Sequence, residues 1–169
     1  YAGYRTLADA GVEAVPAVNL HQLRWHVHID LIDAGAGRDL AYWQGVSDAA
    51  MASANPLLEG RQGPFDRACC TRLARTLAVS TFGTPGDGRD VLDSLSEQNY
   101  FNTTGSPGSH AFLIDSMTYC GGSVPTAIGC AERPSCNGNG GDDPNLWMVV
   151  TVDAFDDGIL AAVTAHERG

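Results

Sequence analysis

Near the end of the chain His166 is followed directly by Glu167, the opening of the helical pattern His-Glu-x-x-His. In that pattern two imidazoles one turn apart share a metal ion, and the carboxylate beside the first acts as general base toward metal-bound water. Arg168 and Gly169 fill the two intervening positions, and the second histidine would be the next residue. Asp156 and Asp157 suit the cap and first turn of a helix, after which Ile159, Ala162, Val163 and His166 fall on one face at helical spacing. Two readings are open for His166: an imidazole enclosed at the end of a buried stripe, or a metal ligand.

Other groups of donors carry less. His26 and His28 share one face of a strand but stand between Arg24 and Asp30, on what reads as its solvated side. Asp87, Asp90 and Asp93 recur every third residue in a turn-rich loop. They lack the alternate acidic spacing and closing glutamate of an EF-hand loop, so a solvated acidic loop is the reading there. Asn137, Asn139, Asp142 and Asp143 could hold calcium, against the plainer reading of a polar turn. Those acidic loops leave a calcium-dependent adhesive module as a third functional class. Asn102-Thr103-Thr104 matches a glycosylation acceptor, which matters only in a eukaryotic secretory path.

The elements that must position such groups belong to one globular domain of 169 residues, 44% hydrophobic and 18% charged, enough to bury a proper core. The formal charge is −10 and every basic residue is arginine, which disfavours nucleic acid or an anionic membrane as partner. No apolar run is long enough to span a bilayer. The start at Tyr1, with no initiator methionine and no leader, reads as a processed or trimmed form. The five cysteines, Cys69, Cys70, Cys120, Cys130 and Cys136, lie in turn-rich surroundings without metal or redox spacing. That points to disulfides and a secreted, extracellular or periplasmic location. At least four of the five are expected in bridges, with Cys130 to Cys136 and one of Cys69 or Cys70 to Cys120 preferred.

Along the chain, residues 1–18 read as an N-terminal arm. Leu23 to Ile32 alternates as a half-buried strand, with Leu23, Trp25, Val27, Ile29 and Leu31 facing the core. Ala34 to Gly37 is a turn, and Leu40 to Leu58 has helical composition until Pro56 intervenes. Strands follow over Thr71 to Phe82 and Ala111 to Thr118, then a short edge strand around Thr126 to Ala131 before Pro134. Leu146 to Val152 is the most continuously apolar stretch and predicts an inner strand, with a helix from about Asp156 onward.

Two stretches, Ile128-Gly129-Cys130-Ala131-Glu132-Arg133-Pro134 and Val163-Thr164-Ala165-His166-Glu167-Arg168-Gly169, together with the turn Tyr119-Cys120-Gly121-Gly122, resemble metzincin-type zinc metallopeptidases, in particular secreted members related to the pappalysins. The resemblance implies an α/β fold with a twisted, mostly parallel sheet and an edge strand, the upper subdomain of such an enzyme. Residues 19–169 would then be part of its catalytic domain, with the C-terminal subdomain supplied by a continuation or an associated chain. It further implies zinc as cofactor, His166 as first ligand, Glu167 as catalytic base, and Gly129, Cys130 and Ala131 along a cleft for a polypeptide substrate. The second and third zinc histidines and the methionine turn of that family are absent from these residues, so the chain alone is expected to be inactive. The competing expectation is a secreted, disulfide-stabilised structural or binding subunit with a degenerate peptidase fold.

Overall fold

The computed structural model describes residues 19–58, 71–104, 109–131 and 147–156, with 160, 162 and 163. The protein is mixed α/β, and its main sheet is mostly parallel. Its elements are β1 (Asn19–His28), α1 (Leu40–Leu58), β2 (Thr71–Arg75), β3 (Ser80–Phe82), β4 (Val91–Leu92), α2 (Leu95–Thr103), β5 (Ser109–Ile114), β6 (Ser116–Met117), β7 (Gly129–Ala131), β8 (Trp147–Thr151) and α3 (Val152–Asp156). The sheet runs β2-β1-β5-β8-β7, with β3 also on β1, and β4 and β6 form a separate parallel pair. Every pairing in the main sheet is parallel except β7 with β8.

β1 is long because it serves two neighbours on the same side. Its first half, Asn19 to Leu23, pairs with β2, and its last three residues pair with β3. The expected strand from Thr71 to Phe82 is thus two strands, separated where Leu77 turns out to solvent at 57% exposure. The amide of Thr76 stays tied to the carbonyl of Leu23 across that break. β1 also ends earlier than expected. The His28 imidazole accepts the amide of Asp30 and starts a 3-10 turn over Ile29–Leu31, so Ile29 and Leu31 leave the alternating pattern. The strand expected over Ala111 to Thr118 is likewise split, into β5 and β6.

Leu23, Trp25 and Val27 face a core shared with Trp43, Met51 and Ala54 of α1, Ala154 of α3, and Leu160 and Val163 beyond it. The opposite face carries a second core of Phe82, Phe101, Phe112, Trp147 and Val149. Apolar residues on both faces of β5 and β8 bury all of both strands, as parallel strands covered on both sides require. Val149 and Val150 are fully buried, and β8 lies between β5 and β7 as an inner strand should. The helix after it begins at Val152, four residues before the expected acidic cap. Ala162 is exposed while Leu160 and Val163 are buried, so the stripe facing the core is not the one that includes Ala162.

α1 begins where the Asp39 carboxylate accepts the amide of Tyr42, and it runs through Pro56 instead of stopping there. Proline withdraws one helical hydrogen bond from the carbonyl four residues back; Ala52 is exposed, so water can take that carbonyl. Immediately before the proline, Asn55 donates its Nδ2 to the carbonyl of Leu73 and accepts the Leu73 amide on Oδ1. The side chain thereby occupies the outer edge of β2 as a neighbouring strand would. Asn55→Ala removes both bonds and leaves buried backbone groups unpaired, a cost of about 1–3 kcal/mol. Urea unfolding should register that loss, and size-exclusion chromatography should show more self-association than in the parent.

Candidate functional site

The face of β1 that reads as solvated in the sequence is covered. His28 is fully buried and His26 half-buried, because Phe82, Phe112 and α2 pack over this side. α2 has no counterpart in the apolar periodicity of the sequence, yet its start is written there. Ser94 accepts the amide of Glu97, and the Glu97 carboxylate accepts the amide of Asp93, a variant of the capping box spelled Ser-x-x-Glu.

On this face Ser80 and His26 are in hydrogen-bond contact at 2.8 Å, and the far ring nitrogen of His26 lies 2.8 Å from Nδ1 of His110. The His26 and His110 rings are nearly parallel, and Phe112 stacks on His26. A hydroxyl, an imidazole and a third group in line have the outline of an activated nucleophile. Burial, together with His110 and Arg24, pushes His26 down to about 4. A base that weak takes little proton density from a hydroxyl at neutral pH, so the chain of bonds serves to satisfy polar groups held between strands.

The carboxyl ends of β1 and β3 carry a second polar group. Asp87 accepts from the amides of Arg89 and Thr84, from the Thr84 hydroxyl and from Nε2 of His28 at 3.0 Å. The Arg89 and Thr84 amides are the main reason its carboxyl is held well below the usual carboxylate range, His28 adding to them. Asp87 is therefore a structural acceptor and not merely part of a solvated acidic loop. Gly83 closes over the His28 ring with φ of +74°, and a Cβ there would fall 2.3 Å from Nε2.

At the opposite end of the sheet order, β7 is antiparallel to β8 in the register Gly129 to Val150, Cys130 to Val149 and Ala131 to Met148. The Thr151 amide donates to the carbonyl of Ile128. Hydrogen-bonded pairs alternate along an antiparallel ladder, so Cys130 directs its backbone toward β8, while Gly129 and Ala131 direct theirs to the outer edge. Among the described residues nothing pairs with that edge. Of the three residues expected along a cleft, Gly129 and Ala131 are thus the ones able to bond an added strand. Cys130 instead turns its side chain inward, into a disulfide with Cys120. This overturns both preferred pairings, Cys130 with Cys136 and Cys120 with Cys69 or Cys70. Cys120 lies in the turn from Tyr119 to Ser123, which has Gly121 at φ of +66°. Cys69, Cys70 and Cys136 lie outside the described residues, as do His166, Glu167 and the Asn137 to Asp143 loop.

Beside β7 a cleft of about 280 Å3 is lined by Gln98, Asn102, the Cys120–Cys130 bridge and Trp147. Trp147 donates its indole N–H to Asn102, which engages the side chain of the glycosylation acceptor. A larger groove of about 640 Å3 runs along α1 past Gly45, Ala49 and Phe155. Among the described residues that line it, Tyr42 carries the one titratable group. Among the described residues no helix is long and apolar enough to cross a membrane. Compared with protein-family models, curated proteins and solved structures, the chain matches none of them.

Two outcomes follow from these contacts. Gly83→Ala must push the His28 ring off Asp87, and thermal unfolding should occur at lower temperature than in the parent. Replacing Cys120 and Cys130 together by serine opens a ten-residue loop, with an expected loss of roughly 2–3 kcal/mol in denaturant unfolding. Peptide mapping of unreduced protein should recover Cys120 and Cys130 in one cross-linked product.

Proposed function

We propose that this chain carries the sheet and metal-helix portion of a secreted zinc-dependent endopeptidase of the metzincin type. The observation behind the reading is the pair β7 and β8: an antiparallel strand whose outer edge is unpaired among the described residues, beside a fully buried strand that runs directly into a helix. Downstream of that helix the sequence reaches His166-Glu167. An extended polypeptide would add to β7 through the backbone of Gly129 and Ala131. Main-chain bonds would give affinity and alternate side chains selectivity.

His166 alone does not make a zinc site, since a catalytic zinc takes three protein ligands; in this proposal a continuation or an associated chain supplies the others. Zinc, when bound, supplies Lewis acidity toward the scissile carbonyl and the attacking water. In this proposal His166 is one ligand, and the Glu167 carboxylate holds a proton and passes it to the leaving amine. The Cys120–Cys130 bridge is compatible with an oxidising, extracellular location.

One observation favours a second reading. Among the described residues the cleft beside β7 contains no acid, base or nucleophile, as would suit a binding subunit that captures an extended peptide without cutting it. Zinc content and cleavage of an unstructured peptide, measured on a chain extended past Gly169, separate the two. The peptidase reading expects His166→Ala to lose zinc and Glu167→Ala to keep zinc while cleavage falls at least a hundredfold, within the usual range for general acid–base catalysis of ~10²–10⁴. Unchanged zinc content in His166→Ala, or peptide binding without cleavage in the parent, would leave the binding subunit.

A further inference from the structure

We infer that His28, Asp30 and Asp90 form a binding site for a divalent transition-metal ion, without His166 among its ligands. The fold places this group where open parallel sheets take ligands. From β1 the chain moves to β2 and β3 on one side, and β5 then lies on the other side of β1. The carboxyl ends of β1 and β5 therefore flank a switch point, the crevice where such sheets bind. His28 ends β1 and Asp30 follows it. Asp90 is held there through its backbone carbonyl, which accepts the amides of Asp115 and Ser116 just after β5.

The chemistry of His28 is fixed from behind. Asp87, held as a carboxylate by its other donors, can only accept, so the 3.0 Å contact requires the proton on Nε2. In the neutral ring the lone pair then sits on Nδ1. That nitrogen takes the Asp30 amide at 3.3 Å, the long end of a hydrogen bond, and lies 3.7 Å from the Asp30 carboxylate. Asp30 itself takes the amide of Gly86 on the same oxygen. Ligand atoms of His28, Asp30 and Asp90 all fall within 4.8 Å of one another. An ion bound here would take the Nδ1 lone pair in exchange for that long Asp30 amide contact, with the Asp30 and Asp90 carboxylates beside it, and an imidazole backed by a carboxylate on its far nitrogen is the usual setting of a metal-bound histidine.

The donor set selects the ion. Calcium and magnesium take oxygen ligands, whereas one imidazole nitrogen with two carboxylates suits zinc or manganese. The carboxylate of Asp30 is about one-third exposed, so water can complete the coordination.

The full chain carrying His166→Ala is the protein to test, because the other proposed ligand is then gone and failure of the peptidase reading cannot affect the result. Equilibrium dialysis against zinc chloride or manganese chloride should give one ion per chain. Asp90→Asn, with folding checked by circular dichroism, should bind at least tenfold more weakly, and Asp30→Asn likewise. Nitrogen-15 NMR of the folded His166→Ala protein reads His28 without mutating it, and zinc should shift its Nδ1 resonance while Nε2 stays protonated. No stoichiometric zinc or manganese, calcium bound in preference to both, equal affinity in Asp90→Asn, or His28 with both ring nitrogens protonated at saturating zinc would each overturn the assignment.

Discussion

The rest of the structure depends on β1 being shared. It pairs with β2, β3 and β5, so one strand fixes the register of most of the parallel sheet. Toward its carboxyl end, where His28 is fully buried and His26 half-buried, polar side chains of such a strand cannot simply be left to water. Burying an imidazole without partners is costly, and β1 has two imidazoles on one face. Each is answered locally: His26 by Ser80 and His110, His28 by Asp87 and the amide of Asp30. Those partners come from β3, β5 and the loop after β3. The polar contacts therefore also decide which strands lie beside β1 and how far along it they sit.

The two cores divide the work between helices. α1 and α3 cover the face of Leu23, Trp25 and Val27, and α2 covers the face of Phe82 and Phe112. The aromatic packing on the α2 side is dense, with Phe101 against Phe82, Phe112 and Trp147. Arg89 lies over the Tyr100 ring at the margin of this cluster. The loop from Gly83 to Asp90, held to β1 by His28, is thus anchored on the aromatic side as well.

How far the fold is legible in the sequence depends on which residues are asked. The alternation of Leu23, Trp25 and Val27 and the continuous run from Trp147 to Thr151 identify an outer-to-inner change in burial, and both strands are found there. α1 starts at Leu40 as its composition suggests, but continues to Leu58 through the Pro56 that the sequence reads as an interruption. The polar face of β1 misleads because alternation marks only where polar residues point, not whether something covers them. What covers them is α2, which has little amphipathic pattern and is announced only by Ser94 and Glu97. Disulfide pairing follows spatial neighbours, so the turn around Gly121 outweighs the short loop between Cys130 and Cys136 that sequence distance favours. The cluster at His28 is hidden for the same reason: Asp30, Asp87 and Asp90 meet only when β1 and β3 are side by side.

The Asn55 side chain gives the sheet a polarity that strand order alone would not. With Leu73 already engaged, a strand approaching β2 from outside meets a backbone pair that is taken, while β7 has no such cap among the described residues. A sheet open at both edges can propagate without limit, each added copy offering a fresh edge. Two copies joined edge to edge through β7 would each turn outward a β2 whose Leu73 is already engaged. One amide on α1 thus works against further strand addition at that end of the sheet.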